Sequence, residues 1–453
     1  MTGLLDAVAN APLLRRTGTV LRANGEMVTT AGLNLAHDEL VTIDGPNGKA
    51  LAGQFAASIK GETRVAMLDR GSAAVGGRAL ATGHGPRTPV GPRLLGRVLD
   101  GLGRPIDRGG PLGPMRRVPI SAEPPHPLDR TPIQHPMPVG VRAIDGFLTL
   151  GRGQRVGIFA GSGVGKSTLL GMLARGASAD VTVIALIGER GREVRDFLEQ
   201  DLGIEALQRC VVVASTGDNP AAMRICAARA ATAIAEGFRE EGLDVLLLFD
   251  SLTRVAMAQR EIGLAAGEPP TTRGYPPSVF SMLPHLMERA GPAARGSITA
   301  IYTVLVDGED MDEPIADISR ATLDGHIVLK RSIATAGHYP PIDLLSSVSR
   351  LMPRVTSPSH AAAARHLRQL MAAHEEARDL ISIGAYVQGA DPVVDRAVVL
   401  MPAINDFLQQ RPEEVSGFDS AVERLLALAP STQEEKKFDG PDDPALEEAG
   451  GLS

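Results

Sequence analysis

The chain has 453 residues, 43% of them hydrophobic, which is too long for one core and enough for two or three domains. Aromatics make up 3% and Trp is absent, so there is little material for base-stacking platforms. The formal net charge of −7 argues against a general polyanion binder, because neutralising phosphates needs a basic surface.

The N-terminus, MTGLLDAVANAPLLRR, places its arginines after its apolar residues, the reverse of a secretory signal. No apolar run reaches membrane-spanning length, so a cytoplasmic location is expected. Leu4, Leu5, Val8 and Ala11 recur at helical spacing, and Leu13 and Leu14 extend that apolar surface beside Arg15 and Arg16. Such a segment is amphipathic, and on its residues alone it can fold back on its own barrel.

From Thr17 to Thr82 short strands alternate with turn signals. TGTVLRANGEMVTT turns at Asn24-Gly25, LVTIDGPNGKALAGQFAASI turns at Asn47-Gly48, and TRVAML adds another alternating run. A small β-barrel over 17–85 closes these strands without exposed edges. GHGPRTPVGPR (83–93) reads as a linker. Nine prolines then fall between Pro111 and Pro138, which forbids regular helix or central strand and predicts an extended path over a surface.

Alternating strand and helix signals follow: QRVGIFA, STLLGMLARGA, VTVIALIG, a charged helix from Arg192, CVVVAS, an Ala-rich helix, VLLLFD, SITAIYTVLV and HIVLKR. Apolar runs separated by helices indicate a mostly parallel sheet buried on both faces, an α/β domain over 86–355. From about His360 the pattern turns helical, giving a C-terminal helical domain over 356–430. The acidic, Pro- and Gly-broken end, 431–453, reads as disordered. Cys210 and Cys226 lie in apolar contexts without ligand spacing, and His126 and His135 lie among prolines, so neither residue type suggests a metal site.

AGSGVGKST (160–168) sits between the strand QRVGIFA and the helix STLLGML, the strand–loop–helix setting of a phosphate-binding loop. Gly161, Gly163 and Gly165, with Ser162 and Val164 between them, let backbone N–H groups curl around phosphate oxygens. Lys166 supplies a point charge, Ser167 a hydroxyl for Mg²⁺, and Thr168 closes the motif. The loop opens with Ala160 where glycine is usual, which is tolerated if φ stays negative there. Asp250 ends the strand VLLLFD, 84 residues after Lys166, where an acid can hold Mg²⁺. Glu189, just past VTVIALIG, is either a carboxylate that polarises the attacking water or a helix-start acid that only favours the dipole.

GRVLDGLGRPID (96–107), GVRAIDGFLTLGRGQRVGIFAGSGVGKST (140–168), GERGREV (188–194), DSLTRVAMAQREIGLAAGEPPTTRGYPPSVF (250–280) and SVSR (347–350) together resemble the rotary-ATPase catalytic subunits. Within that superfamily, GEPPTTRGYPPS, DGHIVL…GHYP and the late IGAY…G-DP…D resemble the type III secretion ATPases, those of flagellar protein export in particular. The likeness covers roughly residues 15–425, and Ala is ordinary at position 160 in that family. It implies ATP and Mg²⁺ as ligands and assigns roles by position. Glu189 becomes the base, with Arg190 near the γ-phosphate, and Arg254 follows Asp250 beside the phosphates. Tyr339 stacks on adenine, and Arg350 is an arginine finger reaching a neighbouring subunit. Lys330 stands where the family often has serine.

The resemblance further implies a homohexamer that energises protein export, releasing cargo from chaperones at an export gate on the inner membrane. Its implied partners are a stator-like regulator docked by the N-terminal segment, which the resemblance alternatively sets against acidic lipid, and a central stalk-like protein. A non-catalytic rotary subunit usually lacks the glutamate found here at 189. An RNA translocase such as the terminator Rho needs an aromatic-bearing basic N-terminal domain, yet residues 1–85 offer only Phe55. A flagellum and a virulence injectisome are not separable on these residues.

Overall fold

The computed structural model describes residues 15–46, 48–306 and 310–429. The segment 1–14, Asn47 and the acidic tail therefore lie outside the described residues.

Six strands close the N-terminal barrel: β1 (Thr17–Asn24), β2 (Met27–Ala31), β3 (Leu40–Asp44), β4 (Ala50–Ile59), β5 (Glu62–Met67) and β6 (Arg78–Ala81), in the order β1-β2-β5-β4-β3-β6. The expected hairpin at Asn24-Gly25 is present, with Asn24 paired to Met27. Lys60 and Gly61, with φ of 52° and 79°, make the tight turn between β4 and β5, whose positive φ values match the right-handed twist of the strands. Register shifts at Val20/Arg22 and Phe55/Ala57 coil the sheet so that it can close. Inside lie Val20, Val41, Ile43 and Val65, each worth roughly 1.5–3 kcal/mol relative to exposure.

The stretch read as a linker is not one. β7 (Arg87–Pro89) pairs antiparallel with β9 (Arg117–Pro119). Thr88 and Val90 are buried, and Gly237 of the helix Ala221–Glu240 approaches Val90 so closely that a Cβ there would stand 2.9 Å from it. The turn residues that suggested a linker instead route a buried ribbon between barrel and core. Beyond β9 the proline-rich chain is extended apart from one short 3-10 turn, Pro127–Asp129, as expected.

The central sheet holds β8 (Val98–Leu99), β10 (Arg155–Ala160), β11 (Val181–Ile187), β12 (Cys210–Ser215), β13 (Asp244–Asp250), β14 (Gly291–Pro292), β15 (Ser297–Leu305), β16 (Gly325–Leu329) and β17 (Ile342–Ser349). The order is β17-β16-β10-β15-β13-β11-β12-β8, with β14 off the edge of β15. From β16 to β8 the strands are parallel, whereas β17 runs antiparallel to β16. Successive residues of β11 and β13 feed two different cores: Val183, Ala185 and Leu247 pack on one face, and Ile184, Leu186 and Leu248 on the other. That is why these strands read as unbroken apolar runs.

One face is covered by the helices Ala221–Glu240, Leu252–Ala266 and Pro277–Glu288. The other carries the helix Lys166–Gly176 and the C-terminal helices Pro358–Ser382, Pro392–Leu408 and Phe418–Leu428. Phe147 and Phe407 meet edge to face at 6.0 Å on that side. No helix among the described residues is long and apolar enough to cross a membrane.

Candidate active site

The phosphate loop leaves β10 at the carboxyl end of the parallel strands, between the ends of β15 and β16. Ala160 is the last residue of β10, buried and paired with Leu305 and Leu329, and it is not among the residues with positive φ. Alanine therefore costs nothing there. Gly163 and Gly165 do need glycine, at φ of 74° and 98°. Gly165 caps the helix Lys166–Gly176 in the left-handed conformation, without any side-chain bond to the first turn. The free N–H groups of that turn face the loop, which is what an anionic phosphate requires. Val164 is buried beneath the loop, and Ser162 and Ser167 are exposed on it.

Three of the predicted residues converge behind the loop. The Lys166 ammonium lies 2.5 Å from Asp250 Oδ1 and 3.5 Å from Glu189 Oε1. Thr303 Oγ1 donates to the same Asp250 oxygen at 2.7 Å, a contact with no signal in the sequence. Glu189 is held by its neighbours' backbone: Gly188 N–H donates to the Ser215 carbonyl at 2.7 Å, and Gly217 N–H to the Glu189 carbonyl at 3.0 Å. Burial pushes the Glu189 carboxyl up to about 7, with the Asp250 charge adding to the rise and Lys166 opposing it. Its Oε1 is buried and receives no hydrogen bond among the described residues. A carboxyl so placed can accept a proton near neutral pH.

Arg254 packs its stem against Gly188, where a Cβ would come within 2.8 Å of its own Cβ, and its charge acts on Glu189. Arg190 does not join this group: its guanidinium is exposed and lies 3.4 Å from Glu193. The Ser167 hydroxyl, exposed in the first helical turn, and the Asp250 carboxylate are each oxygen donors of the kind that suits Mg²⁺, which takes few protein ligands and fills its shell with phosphate and water. Glu189 lies beside them, its Oε1 3.5 Å from the Lys166 ammonium.

Beside the loop opens a cavity of about 800 Å³. Tyr339, 48% exposed, forms one wall, its ring 3.8 Å from where a Cβ on Gly165 would lie. Thr168 and Met172 line the floor, and residues 409–412 the opposite wall. Gln410 secures that wall. Its backbone N–H donates to the Tyr339 carbonyl at 2.9 Å, and its side-chain amide donates to Gly140 and Glu414 carbonyls, both at 2.8 Å. Arg142 bonds the Phe407 carbonyl at 2.8 Å and also reaches the Gln409 carbonyl and the Glu414 carboxylate. None of these C-terminal wall residues was marked by sequence, because they lie some 70 positions from Tyr339 and meet it only through helix packing.

Arg350 stands apart from all of this. Ser349 pairs with Gly325, and Arg350 N–H donates to the Asp324 carbonyl at 3.2 Å, level with Arg155 at the start of β10. The phosphate loop begins five residues further along, about 16 Å away at strand rise. The exposed Arg350 side chain turns to the Arg320 carbonyl at 3.5 Å.

Residues 140–349 match the ATP synthase alpha/beta family, nucleotide-binding domain, and residues 356–427 match the T3SS EscN ATPase C-terminal domain. The chain is 48% identical to the flagellum-specific ATP synthase of Bacillus subtilis, over 94% of its own length and 98% of that protein's. It is equally 48% identical to the type 3 secretion system ATPase of Xanthomonas euvesicatoria, over 94% and 97%. Among solved structures, the assembled ATPase EscN in complex with its central stalk EscO, from the enteropathogenic E. coli type III secretion system, superposes with a TM-score of 0.84 at 44% identity, covering 91% of this chain and all of that one. With its barrel, its phosphate-loop sheet and its C-terminal helices, the chain belongs to the family of flagellum-specific ATP synthases and type 3 secretion system ATPases.

Proposed function

We propose that this ATPase works as a homohexameric ring whose ATP hydrolysis energises flagellar protein export. The observation that carries the chemistry is the convergence of Lys166, Glu189 and Asp250 at the carboxyl ends of the strands. The phosphates lie in the loop under Lys166, and the base stacks on Tyr339 in the adjoining cavity. Glu189 takes the proton of the attacking water. Ser167 and Asp250 would hold Mg²⁺, which would supply charge neutralisation on the phosphates. Arg254 supports Glu189 and faces the phosphates, and Arg190, exposed beside Glu193, is the second arginine proposed for the γ-phosphate. Arg350 serves the neighbouring subunit's site, because its own phosphate loop lies at the other end of the sheet.

A central stalk-like protein fits such a ring, as EscN is found with EscO. Chaperone-bound cargo, an export gate at the inner membrane and a stator-like regulator at the N-terminus complete the proposed partners. A virulence injectisome is the second reading, carried by the 48% identity to the Xanthomonas type 3 secretion ATPase. A Lys166→Ala allele in the source cell separates them. Loss of motility and of hook and filament protein export supports the flagellar role. Intact motility with loss of effector secretion gives the role to an injectisome.

A further inference from the structure

The connection from β16 to β17 touches the phosphate loop at two points, and only one of them is Tyr339. At its start, the short helix Arg331–Thr335 sends the Arg331 guanidinium to the Ser162 carbonyl at 2.7 Å. The same guanidinium lies 4.0 Å from where a Cβ on Gly161 would stand. A peptide unit is planar and trans, so its C=O and the following N–H point in opposite directions. Holding the Ser162 carbonyl on Arg331 therefore turns the Gly163 N–H away from Arg331. That peptide needs such a tether, because Gly163 at φ 74° belongs to the residue type that rotates most freely. Lys330, preceding it, is fixed by its N–H on the Pro341 carbonyl at 3.0 Å, so the arginine starts from an anchored backbone.

We propose that Arg331 is a positioning residue of the phosphate loop: it pins the Ser162–Gly163 peptide so that the Gly163 N–H is set for phosphate before nucleotide arrives. The proposal rests on the reading of this loop as an ATP site. Preorganised donors lose less on binding than donors that must first be ordered. Affinity for phosphate-bearing ligands should therefore depend on Arg331, and affinity for the nucleoside alone should not.

The test compares wild type, R331A and R331K by displacement of a fluorescent ADP with MgADP and with adenosine. MgADP should bind R331A about tenfold more weakly, adenosine should be unchanged, and R331K should recover most of the loss. MgADP affinity within twofold of wild type, or an equal loss for adenosine, would overturn the proposal. Hydrogen exchange of the peptide spanning 162–165 in the nucleotide-free protein is the independent arm. Faster exchange in R331A supports the tether, and unchanged exchange refutes it. Should R331A not fold, R331Q is measured in the same way. If wild type itself fails to bind MgADP, the ATP-site reading falls, while the exchange measurement still decides the role of Arg331.

Discussion

Lys166 and Asp250 form an ion pair at 2.5 Å, with both side chains nearly buried, so the lysine of the phosphate loop is matched by an acid of its own chain. Replacing it with alanine removes the cation that lies against both Asp250 and Glu189, and leaves Glu189 only the charge of Arg254. Lys166→Ala should abolish hydrolysis and weaken ATP binding by roughly tenfold to a hundredfold, the worth of one charged hydrogen bond. Titration with MgATP and a phosphate-release assay measure both. Retention of wild-type affinity would deny the lysine its role.

Glu189 makes a prediction about pH with a definite sign. Its carboxyl is raised to about 7 by burial and the Asp250 charge, and only the ionised form accepts a proton. For the free enzyme kcat/KM should thus rise with pH through about 7 and level off above it. Glu189→Gln should bind ATP, lose hydrolysis by orders of magnitude and lose this limb of the profile.

The same shift bears on stability. A carboxyl whose pKa is higher folded than unfolded favours the fold most below its unfolded pKa, and that favour drains away as pH rises through about 7. Glu189→Gln should therefore melt higher than wild type at pH 8, and the difference should shrink toward pH 5. Thermal scans at the two pH values show whether it does.

Gly188 has no room for a side chain. Its φ is 77° and a Cβ would stand 2.8 Å from that of Arg254. Gly188→Ala should push Arg254 aside and strain the turn that carries Glu189, reducing kcat at least tenfold while the barrel and the base cavity stay intact. Steady-state kinetics beside nucleotide affinity will separate this from a folding defect.

Arg350→Ala should bind ATP yet hydrolyse slowly at any protein concentration, since fingers of this kind are worth on the order of 10³–10⁵ in rate. A Lys166→Ala subunit still offers its finger, and an Arg350→Ala subunit still offers an intact loop. Mixed rings should recover part of the activity that each variant lacks alone. No recovery in rings shown to contain both chains would place Arg350 in its own subunit's site or in none.

The parts of the fold that sequence made visible are those where one physical demand dominates. VTVIALI, CVVVAS and VLLLFD are apolar but for Thr182, Ser215 and Asp250 because both faces of β11, β12 and β13 are buried. AGSGVGKST is legible because phosphate needs bare backbone. β17 was missed: IDLLSSVS is an edge strand whose serines bond locally, with Ser347 Oγ reaching the Asp343 carbonyl at 2.5 Å, so it lacks the signature of its neighbours. β8, two residues long, draws its pairing from β12 more than a hundred positions away. Thr303, Arg142, Gln410 and Arg331 were hidden for the same reason, since each matters through a partner that only the tertiary fold supplies. The order of the site was legible, and its supports were not.

The reversal of a single strand, β17, has an arithmetic consequence for a cell carrying two alleles. If Arg350 serves the neighbouring subunit's site as proposed, a chain deficient in both, Lys166→Ala with Arg350→Ala, silences its own seam and the seam next door. Intact seams then need two sound chains in succession around a head-to-tail ring. Their number falls as the square of the sound fraction, so an equal mixture of alleles keeps about a quarter of the seams where independent sites would keep half. An allele that carries both changes and still assembles should therefore lower activity more than its share of the chains.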